Sequence, residues 1–426
     1  MREQAMPHVA ASASPAYPAR FRDPSQNKDF FLALTERLFI RRKVTPQEVA
    51  RYGTYLWQGD SDADALALKF HDLGMVRQGS PQVQTPMAML QQAVTGNLPQ
   101  DAPRELEQLM KNVSQDPAWL DRRLIDIGAR LSQRSGMLGE YVLSCVSLMG
   151  GYRSAAANKP IAFTGQLEYM APRRLAETAK FGFDVTRTGA MAVGATGYQA
   201  ALKVRMMHAH VRLMLDRSPR WRHAEWGLPI NQADLIATNV LFSAVYLGGL
   251  RVLGLQISDE ESLGVMHLWR YIGWLMGVAD ELLPENEEEG TRMAWLAGVT
   301  QPPADEDSRM LGHALMQVPL ARAEGSLARA AAWLEMQLRS GFSRIVLGDP
   351  AGDDLGLPNN PFKYAIAFTT PVIFAAETLR RLVPGATELA VQLGDALQRR
   401  MVERPLAGKP ATFTPPQSLK RESAYA

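Results

Sequence analysis

The sequence predicts a mostly or wholly α-helical protein. Apolar residues recur at a spacing of three to four along most of the chain, and neither a series of alternating β-branched strands nor a repeat of fixed period appears. The 426 residues are 46% hydrophobic, enough to bury a large core. We predict one all-α domain over residues 26–403. Residues 1–25 and 404–426 are rich in Pro, Ala, Ser and charge without periodicity, so we expect disordered tails.

The first helices are predicted by apolar spacing and by a capping signal. Residues 28–42 ("KDFFLALTERLFIRR") and 45–59 ("TPQEVARYGTYLWQG") each place their apolar residues on one side of a helix. The second stretch begins with Thr45 followed three residues later by Glu48, which is the pattern of a capping box. We therefore expect a helix that begins directly after Thr45.

Further helices are predicted towards the middle and the end of the chain. Residues 116–136 repeat the helical pattern and end at Gly136, which we predict to cap that helix. Residues 326–342 and 375–405 show the same helical spacing of apolar residues, so we predict helices there as well. Residues 189–197 ("GAMAVGATG") nearly spell a phosphate loop, but an alanine stands where that loop needs lysine, and no strand precedes it. We predict a helix–helix connection there.

Charge and cysteine content exclude several classes of protein. The 46 Lys and Arg nearly balance the 44 Asp and Glu, and no long basic block appears, so we expect no nucleic-acid partner. The only cysteine, Cys145, excludes an intrachain disulfide and a Cys-based zinc cluster. We recognise no targeting segment, and the most apolar run, 240–250, is too short to span a bilayer. We expect a cytoplasmic protein without a transmembrane segment, compatible with a peripheral membrane contact.

Two of the seven histidines stand in a predicted helix over 197–217, within the stretch "VRMMHAHVR". At about 100° per residue, His210 lies on a polar side, whereas His208 lies nearly opposite. The residues that share the side of His208 are all apolar: Ala201, Val204, Val211 and Leu215. His208 is therefore either a hydrogen-bonded core histidine or a ligand to a buried group.

Two arginines, Arg205 and Arg212, flank His208 at i−3 and i+4. Like charge and desolvation would keep a buried imidazole neutral, which is the form that ligates metals. The arginines need anions, and the carboxylates of a bound cofactor would serve as well as Asp or Glu. One His cannot make a conventional protein metal site, but haem needs only one axial His because its porphyrin supplies four ligands. The arginines would then pair with the haem propionates.

A second predicted helix, residues 171–185, is expected to begin with Pro172 in its first turn. It places Arg174, Glu177 and Thr178 at i, i+3 and i+4, on one side. An arginine, a carboxylate and a hydroxyl together are typical of the distal side of an oxygen-handling pocket. A surface salt bridge beside a hydroxyl that faces the helix is the alternative.

These stretches, with "HLWRYIGWLMGVADELLP" at 267–284, resemble the superfamily of latex-clearing proteins (rubber oxygenases) and MpaB-type oxygenases. The resemblance rests on three motifs in order: the Arg-x-x-x-Thr pattern at 174–178, His208 thirty residues beyond it, and the 267–284 helix. It covers roughly residues 120–300.

The resemblance implies an all-α fold with a globin-like core that holds a b-type haem. It implies His208 as the axial ligand of the iron, and Arg174 and Thr178 on the distal side. The implied reaction adds dioxygen across an isoprenoid C=C bond and cleaves it to carbonyl products. Glu177 stands where the rubber enzymes carry lysine, so we expect a smaller unsaturated terpenoid or lipid as substrate. Glu177 and Glu168 are the candidate general bases.

Two other functions stay open. The chain would also suit a haem-binding sensor or carrier without turnover, or a helical lipid-binding protein without haem, in which His208 is an ordinary core residue. Haem content separates the lipid-binding protein from the other two. Oxygen consumption with an unsaturated terpenoid separates the oxygenase from the sensor or carrier.

Overall fold

The computed structural model describes residues 17–77, 85–164 and 166–406. This part of the chain consists of α-helices with short 3₁₀ and π segments and no β-strand, which confirms the predicted all-α fold. Its α-helices are, in chain order, α1 Phe30–Phe39, α2 Pro46–Thr54, α3 Ser61–Arg77, α4 Pro86–Ala93, α5 Arg104–Ser114, α6 Arg122–Val142, α7 Met149–Tyr152, α8 Ala155–Phe163, α9 Gln166–Val185, α10 Thr196–Asp216, α11 His223–Trp226, α12 Gln232–Phe242, α13 Ala244–Val252, α14 Asp259–Leu275, α15 Glu287–Val299, α16 Glu306–Met316, α17 Val318–Ala321, α18 Ser326–Leu347, α19 Asp349–Asp354, α20 Ile366–Leu382 and α21 Ala386–Leu406.

Side-chain caps decide where several helices begin. The Thr45 hydroxyl accepts the Glu48 amide at 3.2 Å, and the Glu48 carboxylate accepts the Thr45 amide at 2.8 Å. The predicted capping box is therefore confirmed. A second capping box, formed by Ser258 and Glu261, starts α14. Because of this cap, α14 begins at Asp259, ahead of the motif that predicted it.

The helices that carry the two candidate motifs are α9 and α10. Helix α10 matches the predicted helix closely, and the glycine-rich stretch before it connects α9 to α10, as predicted. Gly189 and Gly194 have φ of 74° and 78° in that connection. The prediction for the start of α9 is wrong, since the helix begins at Gln166, six residues before Pro172.

The predicted break at Gly136 is observed, but a further helical segment follows it directly. Helix α6 passes through Gly136, which has φ 52° and ψ −128°, and continues into a π-helical segment at Leu143–Leu148. Glycine tolerates this conformation because it has no Cβ. A Cβ on Gly136 would lie 3.3 Å from the Cα of Gly394 in α21. The residue that looked like a cap instead kinks the helix where α21 packs against it.

Helix α6 crosses α14 by direct backbone contact. A Cβ on Gly128 would lie only 2.3 Å from the carbonyl oxygen of Gly264, and a Cβ on Gly264 would lie 2.7 Å from the amide nitrogen of Gly128. No side chain fits between the two backbones. Because α14 also packs against α10 and α12, this crossing fixes how deeply α14 lies in the core.

The predicted boundary of the N-terminal tail lies too late in the sequence. Arg20 is 4% exposed, and its guanidinium donates to the carboxylate of Asp234 at 2.6 and 2.9 Å. Its amide also donates to the carbonyl of Glu225. Residues 17–25 are therefore held against α11 and α12 rather than forming part of a tail. The rest of the two predicted tails, 1–16 and 407–426, lies outside the described residues.

One stretch of the described chain, Gln232–Val252, is long and apolar enough to cross a membrane. It comprises α12 and α13, which are separated at Ser243 by a non-helical backbone with φ −112° and ψ −88°. In its most apolar window 56% of the residues are buried inside the protein. Burial and the break at Ser243 are both properties of a core segment.

Replacing Gly264 with alanine is expected to lower the free energy of unfolding by about 1–3 kcal/mol, because the new Cβ forces α6 and α14 apart. The control is Gly248→Ala in α13, where a Cβ would meet no atom within 4 Å. That variant should be stabilised by about 0.5–1 kcal/mol. Urea unfolding measures both. A Gly264→Ala protein as stable as the wild type would contradict the backbone contact.

Candidate functional site

A cavity of about 250 Å³ lies between α8, α9, α10, α12 and α14. Its wall is mainly aliphatic and aromatic, with few polar groups. The described residues that line it are Ala157, Pro160, Ile161, Thr164, Phe181, Met207, His208, Val211, Ile230, Asp234, Leu235, Thr238, Asn239, Phe242, Trp269, Gly273, Met276 and Val278.

His208 contributes the imidazole of this wall. It lies between Met207 and Val211 of α10, which also line the cavity, and its Nδ1 is buried. The apolar side predicted for the helix is observed, since Ala201 and Leu215 are fully buried. His210 is half-buried and does not line the cavity. The structure thus brings one of the two neighbouring histidines to the cavity, and it is the one that the helical spacing favoured.

Helix α9 closes the cavity on another side through Phe181. The predicted residues Arg174, Glu177 and Thr178 precede Phe181 on the same helix and lie within about 60° of its direction at 100° per residue. Glu177 is buried and Thr178 is half-buried. The side chains of Arg174 and Glu168 lie outside the part of the chain that the structure describes. By helical spacing, Glu177 and Thr178 therefore share the side of α9 that carries Phe181, although neither is among the described residues that line the cavity.

Arg205 points away from the cavity and forms a buried ion pair. Its Nε and Nη2 donate to the two carboxylate oxygens of Asp60 at 2.6 and 2.8 Å, and Nη1 donates to the carbonyl of Leu275 at 3.3 Å. Both side chains of the pair are less than a tenth exposed. The bidentate geometry satisfies the guanidinium inside the protein.

Two turns further along α10, Arg212 forms a looser ion pair with Asp64, which is about a third exposed. Its Nε lies 3.3 Å from the Oδ1 of Asp64. Burial lowers the pKa of Arg212, and burial raises the pKa of Asp64 to about 6 although the guanidinium opposes that change. We expected Arg205 and Arg212 to bind cofactor carboxylates; this assignment is corrected, because both arginines pair with carboxylates next to or within α3. Neither is among the described residues that line the cavity.

The cavity wall carries no uncompensated charge among the described residues. Its one charged member, Asp234, is neutralised by Arg20. Thr238 is exposed, so the cavity opens to solvent beside it. At the inner end, Trp269 stacks on Phe242 with ring centroids 5.1 Å apart. The described part of the wall therefore presents only neutral groups or a paired charge to a molecule in the cavity.

A smaller void of about 20 Å³ shares Phe242 and Trp269 with the main cavity. Glu140 lines it. Burial raises the pKa of Glu140 to about 7, against the opposing effect of Arg339. A carboxyl with this pKa can take up or release a proton near neutral pH. Sequence reasoning missed Glu140 because nothing in its local pattern reveals that this half-buried carboxyl lines a void.

A third histidine, His267, has a structural role. Its Nε2 accepts a hydrogen bond from the amide of Asp121 at 2.8 Å, directly before α6 begins. Its ring packs edge-on against Trp119. Burial, together with nearby Arg270, lowers the pKa of His267 and so keeps this acceptor neutral. His267 therefore joins α14 to the start of α6.

The fold and the site together define an α-helical protein with an apolar ligand cavity and one imidazole in its wall. The family model described as "ER-bound oxygenase mpaB/B'/Rubber oxygenase, catalytic domain" matches residues 137–377. The chain belongs to this family of oxygenases, which confirms the resemblance found in its motifs.

Similarity to individual relatives extends over most of the chain. It is 28% identical to the rubber oxygenase of Streptomyces sp. (strain K30) over 357 residues, which are 81% of this chain and 82% of that relative. The solved structure of latex clearing protein LCP in the closed state matches with a TM-score of 0.62 at 23% identity. That match covers 82% of this chain and 91% of the latex clearing protein, and supports the all-α fold.

Arg205→Ala is expected to lower the free energy of unfolding by about 3–5 kcal/mol, because it leaves Asp60 charged and buried without its partner. Arg217→Ala, at the exposed end of the same helix, should change it by no more than about 0.5 kcal/mol. Chemical denaturation of both variants measures the difference. Equal stabilities would show that the buried pair does not anchor α10.

Glu140→Gln is expected to flatten the pH dependence of stability between about pH 4.5 and 7. In this range the folded wild type keeps a proton on Glu140 that the unfolded chain has released, so stability falls as pH rises, by about 1.4 kcal/mol per pH unit. Glutamine removes this contribution. Thermal melts across the range test it, with exposed Glu324→Gln as control. Parallel curves for wild type and Glu140→Gln would exclude a raised pKa.

Proposed function

We propose that the protein is a haem b-dependent oxygenase that uses dioxygen to oxidise or cleave a C=C bond of an unsaturated apolar molecule, either an isoprenoid or terpenoid or a lipid. One observation carries the proposal: His208 lies in the wall of an apolar, neutral cavity, in a chain that belongs to an oxygenase family. A globin-like arrangement of the helices around the haem and a cytoplasmic location belong to the same proposal.

The donor set of the cavity fits haem better than a bare metal ion. Among the described residues no group of three or more His, Cys, Asp or Glu side chains is placed to hold a metal. One imidazole is enough for haem, because the porphyrin supplies four nitrogen ligands. His208 would hold the iron, and the aliphatic and aromatic wall would contact the porphyrin face. When bound, haem supplies the dioxygen chemistry that side chains lack.

The remaining side chains have binding and orienting roles in this proposal. In this proposal Thr178 and Arg174 would orient dioxygen by hydrogen bonding, which their helical spacing from Phe181 supports. The apolar wall would hold the alkene by contact alone and exclude water from it. Glu177 replaces a lysine of the rubber enzymes and cannot act as a neutral amine ligand. Glu177 and Glu140 are the carboxyl groups that would hold a proton near the substrate.

The proposed cleavage balances without another reactant. The C=C bond and the O–O bond break, and two C=O bonds form, so that one alkene and one dioxygen give two carbonyl groups. Both oxygen atoms end in products, and no external reductant is consumed. This stoichiometry makes the proposed enzyme dioxygenase-like.

His208→Gly is expected to abolish stoichiometric haem binding, because it removes the only imidazole among the described residues that line the cavity. Imidazole added to the medium should restore the haem spectrum by occupying the vacated place. His210→Ala is the matched control: it removes a histidine two residues away that does not line the cavity, and it should retain haem. Pyridine haemochrome content, measured on protein from haem-supplemented cells, gives the result.

A normal haem content in the His208→Gly protein would contradict the assignment of His208 as the ligand of the haem iron. If the wild-type protein takes up no haem, the conclusion would instead be that it binds an apolar ligand without haem. Oxygen uptake with terpenoid alkenes completes the test, since a haem-loaded protein without uptake would be a sensor or carrier. Uptake that disappears in His208→Gly and persists in His210→Ala is the result expected of the oxygenase.

A further inference from the structure

Asn239 is a buried amide in the wall of the main cavity. It lies on α12 with Leu235 and Phe242, which line the same cavity, and only 6% of it is exposed. Its side chain contacts the carbonyl oxygen of Trp269 in α14 at 2.8 Å. Because a carbonyl oxygen only accepts hydrogen bonds, the contacting atom is the donor Nδ2, and the other side-chain atom is therefore the acceptor Oδ1.

The Oδ1 of Asn239 is buried, and no described residue donates a hydrogen bond to it. An acceptor without a donor inside a protein lowers stability, and native proteins contain few such groups. The hydrogen bond from Nδ2 to Trp269 nevertheless fixes the rotation of the amide, so Oδ1 cannot turn away to find a partner elsewhere. A fixed acceptor of this kind is available to a donor on a bound molecule.

Gly273 of α14 makes room for this amide. A Cβ on Gly273 would lie 2.7 Å from the Nδ2 of Asn239 and 2.6 Å from a methyl carbon of Leu283. Glycine inside a helix is less stable than alanine, yet Gly273 lies within α14 and also lines the cavity. The amide therefore packs against the backbone of α14, and the site is built by two helices rather than by one side chain.

The other described polar groups of the wall already have partners inside the protein. The hydroxyls of Thr164 and Thr238 each donate to the backbone carbonyl four residues earlier. The ion pair described above occupies the carboxylate of Asp234. Apart from His208, whose role is proposed above, Asn239 is thus the described polar residue of the wall whose side chain keeps an acceptor atom without a hydrogen bond.

The charges of the wall favour a neutral donor. A carboxylate on the ligand would bring only acceptor atoms to Oδ1, and the described wall offers it no cation. An ammonium group would donate, but the one carboxylate of the described wall, Asp234, is already paired with Arg20, and burying an unpaired charge is costly. A hydroxyl group has a hydrogen to donate and no charge, so it satisfies Oδ1.

We propose that the Oδ1 of Asn239 accepts a hydrogen bond from a hydroxyl group of the substrate, which is therefore an unsaturated alcohol, such as a terpenoid alcohol, and not an unsubstituted hydrocarbon. The aliphatic and aromatic wall contacts the hydrocarbon part, and the hydrogen bond fixes the position of the molecule along the cavity. Asn239 is thus a residue that determines specificity. The inference rests on the proposed function, because it names the substrate of the same cavity.

Calorimetric titration of the purified full chain with geraniol and with geranyl methyl ether tests the proposal without turnover. The ether keeps both C=C bonds of geraniol but has no hydroxyl hydrogen. The wild type is expected to bind geraniol at least about tenfold more tightly than the ether. Asn239→Leu removes the acceptor at similar volume and should bind the two ligands equally. A preference caused by the extra methyl group of the ether would persist in that variant.

The matched control is Thr238→Val, at the next residue of α12, which also lines the cavity but whose hydroxyl bonds to the carbonyl of Asp234. It should keep the preference for geraniol. The proposal is overturned if the wild type binds neither ligand or binds both equally, or if Asn239→Leu keeps the preference. The wild-type comparison needs no variant, so it decides the matter even if Asn239→Leu does not fold. Haem content of the same preparation tests the proposed function separately, so the two can fail independently.

Discussion

Two ion pairs, one of them fully buried, set the direction in which α10 presents His208. Arg205 and Arg212 stand at i−3 and i+4 from this histidine, and both turn towards the carboxylates of Asp60 and Asp64. A buried guanidinium without a partner costs several kcal/mol, so rotation of α10 by one residue, about 100°, would unpair both charges at once. The helix is therefore fixed with its arginines on the α3 side and its histidine at the cavity. The ion pairs on the α3 side of α10 thus determine that His208, and not His210, lies in the cavity wall.

The same separation of polar and apolar groups continues around the cavity. The charge of Asp234 is cancelled by Arg20 from the N-terminal segment, which leaves a neutral wall for an apolar molecule. The stacked rings of Phe242 and Trp269 stand between this wall and the void that holds Glu140. A carboxyl with a raised pKa is thereby kept close to the cavity but outside its apolar part. This arrangement would let an oxygenase bind a hydrocarbon chain and still have a proton donor or acceptor nearby.

The features that were predicted correctly from the sequence are those set by interactions between residues close together in the chain. The capping box at Thr45, the extent of α10 and the apolar side that carries His208 all depend on residues within a few turns of each other, and each is observed. The failures have long-range causes. The helical segment that follows Gly136 packs against α21, which is far along the chain, and the partner of Arg205 is 145 residues away. The partial burial of Glu140 likewise depends on tertiary packing, which no short pattern reveals.

Resonance Raman spectroscopy of the ferrous, haem-loaded protein tests most directly whether His208 binds the haem iron. If His208 is the ligand, the spectrum contains an iron–histidine stretching band, and this band moves to lower frequency when the protein is produced with ¹⁵N-labelled histidine. The band should be absent from His208→Gly protein reconstituted with haem and unchanged in His210→Ala. If the wild type shows no isotope-sensitive iron–histidine band, or if His208→Gly shows the same band, His208 is not the ligand of the haem iron.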